Sequence, residues 1–255
     1  MTHIYTLVNQ KGGVGKTTTA INLGAYLAQL GQRVLLVDLD PQANATSCLG
    51  IDKRKVNTGM YEVLLEEAKT ADVILFNAKL KIALVPSAPA LSGAEVELVS
   101  EIGRETRLKQ SLAALKKEYD YILIDCPPSL SLLTVNGLVA AEAVIIPVQC
   151  EYLALEGLGQ LAQTISRVRS SLNTSLSIRG LVMTMFDART GLSMQVVDEV
   201  RKHFPGKVFK SIIPRSVRLA EAPSHGVPIS AFAPSSAGAQ AYYALAEELL
   251  KGDQK

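Results

Sequence analysis

Cysteine is scarce. Cys48, Cys126 and Cys150 are the three in 255 residues, widely spaced and without a C-x-x-C pair. That excludes a disulfide framework and the cysteine sets of zinc or iron–sulfur sites, and it fits a reducing cytoplasm. Three scattered histidines offer no imidazole metal cluster. No apolar run approaches the ~20 residues of a membrane span, and the first residues enter a strand pattern without a signal peptide. Internal repeats, low-complexity tracts and linkers are also missing. With 48% apolar residues, the expectation is one domain over 1–255 with a substantial core.

Charge is nearly balanced, at +2 overall, so the total says nothing about a nucleic-acid partner. Its distribution says more. Residues 164–220 carry ten Lys/Arg against three acids, a local +7 that leaves −5 for the remainder. A basic segment on a near-neutral chain points to an anionic partner on one face, or to a solvated surface that is merely basic.

The most informative stretch is 4–19, where the β-prone run Ile4, Tyr5, Leu7, Val8 enters a loop with Gly12, Gly13 and Gly15, followed by Lys16, Thr17 and a helical pattern. Strand, glycine loop and helix in that order form a phosphate cradle. Backbone N–H groups converge on the anion, and the helix N-terminus adds partial positive charge. Lys16 is then placed for β/γ-phosphates and the Thr17 hydroxyl for Mg²⁺. The loop departs from G-x-x-x-x-G-K-[ST]: Gln10 stands where the first glycine belongs, and a second lysine, Lys11, precedes the glycines. Lys11 is either a solvated loop charge or a cation for a phosphate its own loop does not hold.

Along the chain, Ala20, Leu23, Leu27 and Leu30 repeat at helical spacing and Gly31 ends the helix. Strands are expected at 34–37, 82–85, 121–124, 143–148, 181–186 and, briefly, 207–213. Helices are expected as a pair across 92–118, then over 153–171, 191–203 and 237–250. This alternation predicts an α/β P-loop fold, a doubly wound and mostly parallel sheet with helices on both faces. Ligands of such sheets bind at the carboxyl ends of the strands. Asp38 and Asp40 therefore emerge beside the phosphate loop, and the strand 121–124 delivers Asp125 to hold Mg²⁺ opposite Thr17.

The segment Lys11-Gly12-Gly13-Val14-Gly15-Lys16-Thr17 is a deviant Walker A motif. With it stand Val37-Asp38-Leu39-Asp40-Pro41-Gln42, Asp125-Cys126-Pro127-Pro128-Ser129, Pro147 to Tyr152, Asp187-Ala188-Arg189-Thr190 and Ile213 to Gly226. On these stretches the chain resembles the ParA/Soj-type chromosome-partitioning ATPases of the ParA/MinD superfamily, from residue 3 to about 250. The resemblance implies an ATP- and Mg²⁺-dependent slow ATPase that forms an ATP-dependent homodimer. By the same likeness, a ParB-type centromere-binding protein accelerates hydrolysis. ATP would be held by residues 11–18, including Val14 and Thr18, with Lys11 crossing to the partner's nucleotide and Lys16 serving its own. Asp40 would orient the attacking water and stand with Thr17 and Asp125 as a residue of the metal site. Glu151 would lie near the dimer interface, Met185 and Pro214 against the adenine, and residues 126–136 would sense the γ-phosphate.

The resemblance also singles out Arg189 and Arg218 as contacts to non-specific double-stranded DNA. Arg215, Lys202, Lys207 and Lys210 are helpers chosen on charge. Either arginine has a local alternative, an ion pair with Asp187 or Glu221. No recognition helix is evident, so phosphate contacts should dominate. No N-terminal helix-turn-helix domain is expected. The ending Ala-Glu-Glu-Leu-Leu-Lys-Gly-Asp-Gln-Lys makes a poor membrane anchor, so a cytoplasmic, nucleoid-associated protein is expected rather than the alternative, a MinD-like membrane-associated positioning ATPase. Other classes are a metabolic ligase on the same fold, which needs a dedicated substrate pocket, and a cluster carrier, which needs paired cysteines.

Overall fold

The computed structural model describes residues 2–151 and 154–254. Seven strands form one sheet: β1 (His3–Leu7), β2 (Val34–Asp38), β3 (Leu75–Asn77), β4 (Ile82–Val85), β5 (Tyr121–Asp125), β6 (Ala143–Gln149) and β7 (Ser177–Thr184). Their order is β3-β4-β2-β5-β1-β6-β7. All neighbouring pairs are parallel except β3 with β4.

Side chains alternate across each strand, so one strand feeds two cores. Leu35 and Val37 pack into a layer with Met60, Leu108, Leu133 and Leu161. Val34 and Leu36, one residue out of phase, pack into the opposite layer with Leu23, Leu27, Tyr242 and Leu245. The helix α1 (Lys16–Gln29) supplies Leu23 and Leu27 to that second layer. Gly31 follows at φ +88°, a left-handed turn that suits glycine and stops the helix.

The structure departs from the sequence reading in five places, four of them with a physical cause. The segment 207–213 is not a ladder strand. It touches β7 through the isolated pairs Leu181–Val208 and Phe186–Pro214. Between them, the N–H groups of Lys210 and Ser211 turn to the Glu248 carboxylate at 2.8 and 3.0 Å. The pair of helices over 92–118 is broken into short pieces, chiefly Leu91–Glu97 and Arg107–Leu112. Gly103 takes φ +73°, and the buried Asn136 side chain accepts from the Leu108 N–H and donates to the Arg104 carbonyl. β7 starts at Ser177 and ends at Thr184, because Met185 leaves the strand at φ +52°. The antiparallel edge strand β3 was not anticipated. The final helix, Ala237–Asp253, runs past 250 because the Asp253 carboxylate accepts from Arg179 (2.8 Å) and Tyr121 (2.9 Å) on the sheet.

Candidate functional site

β1, β2 and β5 deliver the loop 9–15, Asp38 and Asp125 to one edge, with Asp38 and Asp125 in register. The loop is shaped by its own side chains. Asn9 donates to the Pro147 carbonyl (2.8 Å) and accepts from the Lys11 N–H (3.0 Å), while the Thr184 hydroxyl donates to the Val14 carbonyl (2.8 Å). Gly13 and Gly15 adopt φ +76° and +88°, and Gly15 is the N-cap of α1. A side chain at either position would be strained in this left-handed region.

Lys16 opens α1 and is 7% exposed. Burial lowers its pKa, against the pull of Asp125, Cys126 and Asp40. Its ammonium donates to the Lys11 carbonyl at 3.4 Å, and none of the ion pairs among the described residues includes it. A buried cation without a carboxylate partner, at a helix N-terminus, suits an anion.

Next to it is a buried anion. Thr17 donates to Asp125 Oδ2 at 2.6 Å, while Asp125 Oδ1 is buried without a hydrogen-bond partner. Burial raises the Asp125 pKa well above the usual carboxylate value, the Asp38 charge adds to this, and the Thr17 hydrogen bond and Lys16 oppose it. Asp38 is pushed up to about 6 by burial, although it accepts from the Thr46 hydroxyl and N–H and from the Asp40 N–H. An orphaned carboxylate oxygen beside a hydroxyl is a donor set that fits a divalent cation. Magnesium takes one or two protein oxygens and leaves the remaining positions to water and phosphate. No group of three metal-ligating side chains occurs among the described residues.

Asp40 is buried, and its side chain accepts from the Gln42 N–H (2.8 Å). Its carbonyl accepts from the Ser87 hydroxyl (2.8 Å). Ala43 follows at φ +50°, a left-handed conformation unusual for alanine. The turn after β2 is thus fixed by Thr46 and Ser87, neither of which the sequence reading identified. Asp38 is the buried support of this turn.

On the outer side of the loop, Lys11 and Arg215 converge on Glu151, at 3.4 and 3.3 Å, and Gln149 donates to the same carboxylate at 2.6 Å. Lys11 and Glu151 remain 38% and 44% exposed, a range in which ion pairs contribute only about 0.2–1 kcal/mol. Lys11 can therefore leave at small cost. Tyr152 lies outside the described residues.

A cavity of about 290 Å³ adjoins the far end of the loop, lined by Thr18, Met185, Ile213, Pro214 and Leu219 among others. Met185 and Pro214 thus meet in one mostly apolar hollow beside the phosphate loop, at the small end of the range for ligand pockets. The left-handed backbone of Met185 is the strained point of this wall.

The basic candidates separate into two groups. Arg189, Arg215 and Arg218 lie at the carboxyl edge, where the Arg215 N–H bonds to the Phe186 carbonyl. Arg189 makes a two-pronged ion pair with Asp187, which holds that carboxyl well below the usual range, and Arg218 pairs with Glu221 at 2.9 Å. The local alternatives noted from sequence are therefore present, yet the Arg189 side chain is 85% exposed. Lys202 ends the helix Gly191–His203, which runs back about 20 Å from Arg189, and it pairs with Glu199. Lys207 and Lys210 line a separate hollow with Glu247 and Glu248, near the start of β7. The structure does not bring these lysines to the arginine group.

Comparison with known proteins adds an independent line. An AAA domain family model matches residues 2–178. Over 249 residues the chain is 55% identical to the sporulation initiation inhibitor protein Soj of Bacillus subtilis, covering 98% of each. It is 52% identical to the chromosome partitioning protein ParA of Myxococcus xanthus, over 98% of this chain and 88% of that one. Among solved structures, a Mycobacterium smegmatis protein described as cobyrinic acid a,c-diamide synthase with bound ADP and magnesium superposes with a TM-score of 0.89 at 40% identity. That match covers 100% of this chain and 96% of that one.

Proposed function

The chain belongs to the Soj/ParA family of chromosome-partitioning ATPases, and from that premise we propose that it is a magnesium-dependent ATP switch that carries DNA-segregation cargo. The observation that carries the reading is the juxtaposition of a buried, carboxylate-free Lys16 with the orphaned Asp125 oxygen. The bound adenine nucleotide and magnesium of the M. smegmatis relative support it.

In this reading Lys16 and the N–H groups of 12–17 bind the β- and γ-phosphates, and Met185 and Pro214 pack the adenine in the adjoining cavity. Thr17 and Asp125 would hold Mg²⁺, which supplies positive charge against the phosphate oxygens. Asp40, held by Gln42 and Ser87, orients the attacking water. Phosphoryl transfer asks for positioning and charge neutralisation more than covalent chemistry. Lys11 exchanges Glu151 for the nucleotide of a second copy, so that dimerisation and nucleotide state are coupled. The dimer presents Arg189, Arg215 and Arg218 twice and binds DNA phosphates without sequence preference. Two copies double the counterions released, and each contact adds roughly 0.9 to the salt slope. A ParB-type partner resets the switch by accelerating hydrolysis. The protein acts in the cytoplasm on the nucleoid; among the described residues no helix is long and apolar enough to cross a membrane.

ATP turnover per chain, measured across protein concentration, tests the dimer-coupled site. The rate per chain should rise with concentration in wild type and stay flat and low in Lys11→Ala. A concentration-independent rate in both would refute the coupling.

A further inference from the structure

The end of the helix Leu91–Glu97 and the segment that leads from it to the helix Arg107–Leu112 carry an apolar strip. Val96, Val99 and Ile102 recur three residues apart and are 74, 60 and 96% exposed. Leu91, Ala94 and Leu98 fill the buried side of the same segment. Three large apolar side chains on one exposed strip are not what solubility selects.

The rim of the strip is acidic. Glu95, Glu97, Glu101 and Glu105 lie along it, and the neighbouring helix Met60–Leu64 with its following residues adds Glu62, Glu66 and Glu67. The two segments are joined by the Tyr61 hydroxyl, which donates to Glu97 at 2.8 Å, and by the Arg107–Glu66 ion pair. Across residues 60–69 and 91–112 seven carboxylates stand against Lys69, Arg104, Arg107 and Lys109, a local −3 on a chain of net +2. This sign disfavours DNA and anionic lipid and favours a cationic polypeptide.

The strip is also tied to the nucleotide site. The Glu95 carboxylate accepts from the Leu133 N–H at 3.5 Å, in the first turn of the helix Leu132–Ala140. Asn136 of that helix holds the Arg104 carbonyl (2.8 Å) and the Leu108 N–H (3.1 Å). Six residues, 126–131, separate that helix from Asp125.

We propose that the Val96–Val99–Ile102 strip with its glutamate rim is the docking surface for a basic, partly apolar segment of the partner protein that accelerates hydrolysis. Docking acts on the Asp125 loop through Glu95 and Asn136. The assignment rests on the partner-stimulated ATPase reading above and names its surface.

The test uses the full chain, its Val99→Ser/Ile102→Ser variant and its Glu97→Lys variant, each titrated with the cognate ParB-type protein and with a synthetic peptide of that basic, partly apolar segment. ATP turnover, DNA binding, ATP-dependent dimerisation and hydrogen exchange are followed together. Both variants should keep basal turnover, dimerisation and DNA binding while losing at least tenfold in stimulation, and the segment should protect residues 95–105 in wild type. Stimulation of the variants equal to wild type, or stimulation without protection at 95–105, overturns the surface. Loss of ATP-dependent dimerisation in the variants also overturns it, since the strip would then be a contact between copies. Protection of 95–105 with unchanged turnover keeps the surface and refutes the stimulated-ATPase reading instead.

Discussion

Replacing Asp125 by Asn should stabilise the empty protein and disable the switch. The carboxylate is buried, its Oδ1 has no partner, and Asp38 repels it from the adjacent strand. Taking a carboxylate out of water costs several kcal/mol even after relaxation. The Thr17 hydrogen bond returns about 1.5–3 kcal/mol as a bond to a charged group, and Lys16 returns a further part. The residue is a net cost of about 1–3 kcal/mol, which Asn removes while its carbonyl still accepts from Thr17. For a domain of this size about 2–4 °C accompanies each kcal/mol, so the apo melting temperature should rise by about 2–12 °C. With Mg-ATP at a hundredfold excess over Kd, wild type gains about 2.7 kcal/mol by mass action. The variant, lacking the anionic oxygen that would hold the ion, should gain little. Differential scanning fluorimetry with and without Mg-ATP should therefore show the variant's lead shrinking by about 2.7 kcal/mol or reversing when the nucleotide is added. An apo melting temperature that falls, or equal Mg-ATP shifts in both proteins, refutes the reasoning.

Lys16→Ala should lose nucleotide affinity, whereas Lys11→Ala should bind ATP yet fail to dimerise with it; calorimetry and sedimentation separate the two. Asp40→Ala should bind ATP and dimerise but turn over at least tenfold more slowly, and wild-type turnover would remove it from the hydrolytic site. Arg189→Glu and Arg218→Glu should each abolish DNA binding and spare ATP-dependent dimerisation, as read by anisotropy and light scattering. Asp38 has a folded pKa near 6, above its ordinary value of 3.8. Its contribution is full below about pH 4 and is lost as pH rises through 6, so apo wild type should lose stability over that window and Asp38→Asn should lose less.

The legible parts of this molecule are those in which sequence order dictates backbone geometry. A strand, three glycines and Lys16-Thr17 admit one arrangement of N–H groups, and Asp125 follows from an apolar strand that ends in an acid. Met185 and Pro214, which the resemblance assigns to the adenine, line one cavity. Side-chain capture of backbone groups was not legible. Asn136 breaks the helical run before Leu108, and Glu248 takes the N–H groups that a strand at 207–213 would need. Asn9, Thr46, Ser87 and Thr184 were missed because a small polar residue carries no periodic signal. The charge count joined Lys202, Lys207 and Lys210 to the arginines, but the helix Gly191–His203 reverses direction and carries Lys202 to the other end of the sheet.

The central claim is that nucleotide state governs attachment to DNA. The direct measurement is binding of a non-specific duplex by the wild-type chain with no nucleotide, ADP, ATP and a slowly hydrolysed ATP analogue, with anionic vesicles as a parallel surface. The account predicts salt-sensitive DNA binding with ATP or its analogue alone, and no vesicle binding in any state. Equal DNA binding in all four states, or ATP-dependent binding to vesicles in place of DNA, would contradict it.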